Sequence, residues 1–331
     1  MSTEAMKTAV RALKLRPLLS AIALLSLGVV AGCTSSALDI EPETKISPAL
    51  ARQIKAKGFK ETDPVLVRIF KAESELEIWK RKPTGEYALF KTYPICRWSG
   101  KLGPKVKNGD RQAPEGFYNV SLGQLNPESQ YYLSFNLGYP NRLEKALGHT
   151  GEALMVHGAC SSSGCYALTD QGVSEIYPVV LKALQSGQKS FQVQSFPFRM
   201  TEANMRRHAG DPNMKFWYTL KAGYDAFEKT RREPVVGYCA GQYAFNLPQG
   251  SEPESPLGEC PAGTLMASQQ MPLMSMPKSV TAYSYSDGGM HKSYRVLLER
   301  YGAKRMAAKV STTKYPVSRP EAALSDPFDP L

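Results

Sequence analysis

Met155-Val156-His157-Gly158-Ala159-Cys160-Ser161-Ser162-Ser163-Gly164-Cys165-Tyr166 is the stretch on which the reading of this chain turns. A short strand-like run ends in a histidine. A loop rich in glycine and serine follows and closes on a cysteine preceded by glycine. A thiol attacks an acyl carbon only as thiolate, so it needs a base and an approachable backbone. His157 is the candidate base and Cys165 the candidate nucleophile. Gly164 has no side chain, so a substrate carbonyl can reach the backbone N–H groups of Gly164 and Cys165, the candidate oxyanion donors. Seven residues separate the histidine from the cysteine. The loop must therefore turn back on itself, which Gly158 and the serines permit.

Working outward, residues 62–200 read as mainly β. Val65–Phe70 and Glu75–Lys80 have strand composition with partial alternation. Tyr87–Cys96 follows the turn signal Pro83-Thr84-Gly85. Residues 100–116 are rich in glycine, proline and lysine and read as a loop. Gly116–Leu122, Leu133–Leu137, Ala153–His157 and Phe191–Ser195 are further strands. Asp170–Ser186 has helical spacing, with Thr169 or Asp170 as cap and Pro178 as a point where it can kink. Residues 201–232 read as helices. Thr201 caps the first, Asp211-Pro212 begins the second, and Phe216, Trp217, Leu220, Tyr224 and Phe227 form a stripe that braces the β domain. The expected fold class is therefore mainly β with flanking helices. Residues 233–331 are rich in proline, serine and glycine, read as a partly disordered tail, and contain a basic amphipathic helix over 289–310.

The N-terminus has its own signature. Lys7, Arg11, Lys14 and Arg16 precede the apolar run Leu18–Val30, which is short for a membrane span. The run ends in Val30-Ala31-Gly32-Cys33, which resembles a bacterial lipobox. Residues 1–32 are then a signal peptide, Cys33 is the lipidated residue, and 33–61 is a tether with a short helix near Ala49–Lys57. Thr34, rather than Asp, after Cys33 implies the periplasmic side of the outer membrane as destination. The other reading is an uncleaved anchor helix. Two or three acyl chains hold a protein firmly, where one binds only marginally.

The chain has six cysteines. With Cys33 lipidated and Cys165 free, Cys96, Cys160, Cys239 and Cys260 remain for two disulfides in an oxidising compartment. Sequence leaves the connectivity open. The pairing expected is Cys96 with Cys160 and Cys239 with Cys260; Cys160 with Cys165 is the alternative that would silence the thiol. The net charge of +11 stays well positive after the signal segment is removed. It suits anionic wall polymers or a membrane surface, and equally ordinary solubility. No nucleic-acid recognition motif with interleaved aromatics is present.

The order His-Gly, short loop, Ser-x-Gly-Cys resembles the active-site signature of the YkuD-type L,D-transpeptidases, and Tyr166 after the cysteine resembles the YafK-like branch. Asp110–Tyr118 is similar to that family's Pro-x-Gly-x-Tyr/Phe strand start. With Pro197-Phe198-Arg199-Met200-Thr201 and the segment behind it, the resemblance runs from about Val65 to Arg231. It implies a compact β-rich catalytic domain over 62–200, extended by the helices of 201–232. It also implies acyl transfer through a thioester on Cys165, peptidoglycan stem peptides as substrates, and no cofactor. The sequence departs from the usual family pattern in three ways. Ser163 stands where a second histidine is usual, Ala167 where an arginine is usual, and the His–Cys gap is short. These departures match the YafK-like branch, which is associated with detaching a peptidoglycan-linked outer-membrane lipoprotein from diaminopimelate. They favour hydrolysis over cross-linking.

Arg111, Tyr131, Tyr132, Ser163 and Tyr166 are candidates for the substrate groove, with half-buried packing the competing role for the tyrosines. His149 is a second candidate base or a plain loop residue, while His208 and His291 read as helix-surface residues. A zinc site from His149, His157, Cys160 and Cys165 competes but has irregular spacing, so no metal is expected. A non-catalytic wall-binding lipoprotein is the remaining alternative. It accounts for the charge and the anchor but not for a histidine and a Gly-Cys held together.

Overall fold

The computed structural model describes residues 44–264 and 288–310, all within one unit; the signal segment, Cys33 and the end of the tail lie outside them. In chain order the elements are α1 (Pro48–Ala56), β1 (Val65–Phe70), β2 (Glu75–Arg81), β3 (Tyr87–Pro94), β4 (Arg97–Trp98), β5 (Gly116–Ser121), β6 (Leu125–Ser129) and β7 (Tyr132–Asn136). There follow α2 (Arg142–Ala146), β8 (Met155–His157), β9 (Tyr166–Ala167), α3 (Asp170–Gln185), β10 (Ser190–Phe196), α4 (Glu202–Arg207), α5 (Met214–Thr230), β11 (Val236–Cys239), β12 (Gln242–Phe245) and α6 (Lys292–Val310).

Two five-stranded sheets, β3-β2-β1-β10-β5 and β4-β9-β8-β7-β6, contribute to one core. Every residue of β1 is buried, because both its faces are covered. Val65, Val67 and Ile69 face the main core with Phe135, Val156 and Tyr166 of the second sheet. Leu66 and Phe70, on the other face, meet Phe227, Tyr224 and Leu220 of α5. The α5 stripe is thus a third layer. Arg68, on the same face, lies under the rings of Tyr224 and Phe227 and pairs with Glu228 at 2.6 Å.

The segment between β4 and β5 is irregular but pinned from beneath. Lys71 Nζ meets Glu115 Oε1 at 2.9 Å, both fully buried. It also donates to the carbonyls of Lys101, Gly103 and Ala113, while Trp217 Nε1 donates to Glu115 Oε2 at 2.8 Å. One buried ion pair therefore ties the loop to both a sheet and α5.

Several sequence expectations need correction. Residues 48–61 are not a free tether: Leu50, Ile54 and Phe59 are buried in the main core. The tail is not uniformly irregular. β11 and β12 form a hairpin, a disulfide ties Cys239 at the end of β11 to Cys260 in the segment beyond β12, and Tyr243 of β12 packs with the α5 residues. Met290 and Leu298, before and in α6, pack on Cys96 and Cys160. α3 continues through Pro178, and α5 starts at Met214, with Asp211 in the preceding turn accepting from Asn213 N. His208 is buried, its ring stacked on Phe198 at 4.5 Å, so it is not a surface residue.

Candidate active site

β8 places His157. Its residues pair with β7 on one side and, in parallel, with β9 on the other, Val156 opposite Tyr166 and His157 opposite Ala167. At Gly158 the chain passes against its neighbours. A Cβ there would lie 2.7 Å from Asp170 Oδ1 and 2.9 Å from the Tyr131 carbonyl. No side chain fits, so the glycine is a packing requirement.

His157 is 3% exposed. Its Nδ1 lies 2.6 Å from the Gly158 carbonyl oxygen. A carbonyl only accepts, so Nδ1 carries the proton and Nε2 keeps its lone pair. Burial lowers the imidazole to about 4, outweighing the opposite pull of the Gly158 carbonyl and Asp170. The ring is thus neutral near pH 7, the state a general base needs. The Tyr131 ring lies 4.9 Å away, tilted.

Cys165 immediately precedes β9 and is half-buried. Its Sγ accepts from Met155 N at 3.4 Å and lies 3.9 Å from the Ala153 carbonyl. Burial raises the thiol, with the Met155 N–H and the Lys105 charge acting the other way. The thiol therefore touches β8 two residues before His157, about 7 Å along the strand. Imidazole and thiol thus belong to adjacent parallel strands, His157 in β8 and Cys165 at the entry to β9, without a mutual hydrogen bond; catalytic hydrogen bonds are often long or unmade before substrate binds.

The connecting loop is held rather than free. Ala159 and Cys160 both have left-handed φ, 63° and 50°. Such backbone costs about 1–3 kcal/mol per residue and persists only when its surroundings impose it. Here Asp170 Oδ1 accepts from Ala159 N at 2.7 Å, Cys160 N donates to Leu168 O at 3.1 Å, and Cys160 is bonded to Cys96. Thr169 caps α3 by accepting from Gly172 N, which sets Asp170 in the first turn. At the far end Gly164 has φ 136° and packs against Leu154 and the Gln112 carbonyl. Ser162 Oγ donates to the Cys165 carbonyl at 2.7 Å and accepts from Gly164 N at 3.4 Å.

The groove candidates separate. Tyr131 is exposed beside His157, and Tyr132 is half-buried with φ 75°. Ser163 is exposed on the loop. Arg111 is exposed next to Gln112, whose carbonyl lies against Gly164. Tyr166 is not a groove residue: it is fully buried, and its hydroxyl lies 2.7 Å from both the Pro114 carbonyl and Ser195 Oγ. The zinc reading loses Cys160 to the disulfide with Cys96. Cys239 is bonded to Cys260, and Cys165 is free.

Two residues escaped the sequence reading. Asp170 was read only as a cap, and its contact with Ala159 is made across eleven positions. Lys105, 4% exposed and paired with Asp110 at 2.6 Å, brings a positive charge toward the thiol from the 100–116 loop. An aspartate just after Cys-Tyr-Ala-Leu-Thr is the only local hint for the first; the second had none.

No protein-family model matches the chain. Over 193 residues it is 47% identical to a protein of Escherichia coli (strain K12) with the provisional name L,D-transpeptidase YafK, covering 58% of this chain and 78% of that protein. The YafK of Escherichia coli O157:H7 matches equally. Among solved structures, the helical cell shape determining protein Pgp2 from Campylobacter jejuni covers 61% of this chain and 85% of its own, at 16% identity and TM-score 0.34. Bdellovibrio bacteriovorus Bd1075 covers 59% and 80%, at 14% identity and TM-score 0.32. With nearly half of the residues identical over more than three quarters of YafK, the chain belongs to the YkuD-type L,D-transpeptidase family, in its YafK-like branch.

Proposed function

We propose that the protein is a cysteine-dependent acyl-transfer enzyme of peptidoglycan that hydrolyses an amide at diaminopimelate and releases covalently attached protein. One observation carries the chemistry: a neutral imidazole with its Nδ1 proton committed to Gly158 stands on the strand that holds the Cys165 thiol. His157 Nε2 takes the thiol proton as the sulfur attacks the amide carbon. The C–N bond breaks, the nitrogen leaves with the proton from His157, and a thioester remains on Cys165. Water then attacks the thioester, His157 accepting its proton and returning one to the sulfur. The backbone N–H of Cys165 is the candidate donor to the developing oxyanion, worth roughly 3–4 kcal/mol; Gly164 N, also expected in that role, is turned to Ser162 Oγ.

Hydrolysis is favoured because Ser163 and Ala167 replace groups that could hold a second charged stem peptide. Position 167 is fully buried opposite His157, which leaves no room for an arginine. Transpeptidation is the second reading, supported by the name of the relatives. We further propose that the chain is anchored by a lipid on Cys33 at the periplasmic face of the outer membrane. Fatty-acid labelling tests this: Cys33→Ala should lose the label, and a label that persists rejects the anchor. The reaction is tested by incubating purified protein with muropeptides, some carrying a linked lipoprotein peptide, and weighing the products. A freed peptide supports hydrolysis; joined muropeptides replace it with cross-linking.

A further inference from the structure

Base and nucleophile are poorly matched when taken alone. His157 is held at about 4, and burial raises Cys165 above its ordinary value of 9.0. The two lie about five pH units apart or more, so passing the thiol proton to that imidazole is disfavoured by roughly 10⁵-fold unless something stabilises the sulfur anion.

A buried cation stands beside the pocket. Lys105 is 4% exposed. Its Nζ pairs with Asp110 Oδ1 at 2.6 Å and donates to the Lys107 carbonyl at 3.0 Å. An ammonium has three N–H donors, so one remains beyond these two. Asp110 is locked in turn. Its Oδ2 accepts from Val106 N at 2.9 Å and Lys107 N at 3.0 Å, and its Oδ1 from Gln112 N at 3.0 Å.

The pair lies between the two segments that flank the thiol. A Cβ on Gly151 would lie 3.0 Å from Lys105 Cε and 3.5 Å from its Nζ. Two residues on, the Ala153 carbonyl lies 3.9 Å from Cys165 Sγ. From Asp110 the second path runs through Gln112, whose carbonyl would lie 3.7 Å from a Cβ on Gly164. Thr150 N donates to the Val106 carbonyl at 3.1 Å and joins the two segments.

The charged groups around the thiol come from several elements. The 99–115 loop brings Lys105, Asp110 and the exposed Arg111, and the 149–154 segment brings half-buried His149 and exposed Glu152. β8 brings His157, β4 carries Arg97 opposite Ala167, and α3 carries Asp170, bound to Ala159 N. Among them Lys105 is the one whose charge favours the thiolate, in the same sense as the Met155 N–H at 3.4 Å.

We propose that Lys105 is a positioning residue of the reaction: its buried ammonium, clamped by Asp110 between the two segments that flank Cys165, stabilises the thiolate that attacks the amide carbon. The assignment rests on the acyl-transfer reading above and adds the cation which that reading lacks.

The test is alkylation of Cys165 in the full chain by iodoacetamide, which reacts with the thiolate. It is followed across pH by mass spectrometry of the peptide that contains Cys165. Lys105→Met removes the charge and keeps most of the side chain. Its alkylation curve should move to higher pH by roughly one unit, so that labelling near pH 8 slows about tenfold. Lys105→Arg should keep the wild-type curve. Direction separates charge from structure, because a loop that merely came loose would wet the thiol and move the curve to lower pH. Should Lys105→Met fail to fold, Lys105→Met combined with Asp110→Asn removes both charges of the buried pair and should still move the curve upward, by less. A curve that stays in place or moves down in the folded variant overturns the proposal. Turnover reads separately. Peptide release by wild type, with an unmoved curve in Lys105→Met, keeps the acyl-transfer reading and rejects the lysine. An upward shift in a protein that performs no acyl transfer keeps the action of the lysine on the thiol and rejects the chemistry.

Discussion

His157 Nδ1 and the carbonyl oxygen of Gly158 lie 2.6 Å apart, within adjacent residues of one chain. The contact fixes the tautomer of the candidate base through its own backbone, where many such sites use a carboxylate from elsewhere. Gly158 can serve because Asp170 and Tyr131 crowd the space a side chain would need.

Cys165→Ser should reduce turnover to background with the fold unchanged. His157→Ala should cost about 10²–10⁴ in kcat, the range of general-base contributions. His149→Ala should cost far less in kcat, because His149 lines a cavity walled by Phe216 and Tyr243 whose lining does not include Cys165. Steady-state rates with circular dichroism as fold control decide this, and a larger kcat loss at His149 would reassign the base.

The pH profile follows from burial. His157 is held at about 4, so the base stays unprotonated down to mildly acidic pH. kcat/KM should show no acid limb near 6.5, the value of a solvated histidine, and should fall only as pH approaches 4. Stability moves over a different window. His157 and His208 are both lowered to about 4 by burial. The unfolded chain protonates these two below about 6.5, so their contribution is full above that pH, declines as pH falls, and levels off below the folded value. Glu144, raised to about 7, works in the opposite sense, its contribution falling as pH rises from its unfolded value toward 7. Melting temperatures of wild type and Glu144→Gln across pH 4–7 should therefore differ in slope, the variant losing more on acidification.

Lys71→Met should be strongly destabilising. It leaves Glu115 buried beside Trp217 without its cation. Removing one partner of a buried pair typically costs about 3–5 kcal/mol. Because Lys71 also holds three carbonyls of the 99–115 loop, limited proteolysis should cut that loop sooner in the variant. Unchanged urea midpoint and proteolysis would show that the loop is held by other contacts.

Local signals in the sequence carried well where structure is local. Thr169 and Thr201 cap the helices they precede, and the β1 to β3 strands lie close to the expected runs. What was missed is set by distant partners. Leu50, Ile54 and Phe59 read as part of a tether because three apolar residues do not announce a core that the β strands supply. The β11–β12 hairpin was hidden in a proline-rich composition, and its Tyr243 finds Phe117 and Asn141 more than a hundred positions away. At the site, His157 and Cys165 share one short stretch and stood out together. The Asp170 anchor and the Lys105 charge depend on how loops meet. Tyr166 misled because adjacency to a cysteine says nothing about which face of a strand a ring occupies.

Ala167 gives the sharpest test of why this branch departs from its family's usual pattern. An arginine is expected two residues after the cysteine, and restoring it as Ala167→Arg looks like a route to cross-linking activity. The structure argues otherwise. Ala167 is fully buried, pairs with His157 across β8 and β9 and with Arg97 across β4 and β9, and its carbonyl accepts from Cys96 N at 2.9 Å. A guanidinium there would meet the existing Arg97, itself 2% exposed, and two cations forced together in a dry interior repel. The expected result is a protein destabilised by several kcal/mol, in the range of an uncompensated buried charge, with peptide release and cross-linking both lost. A stable, cross-linking Ala167→Arg variant, seen by mass spectrometry of joined muropeptides, would show that acceptor choice rests on that one position and would reject burial as the reason for the alanine.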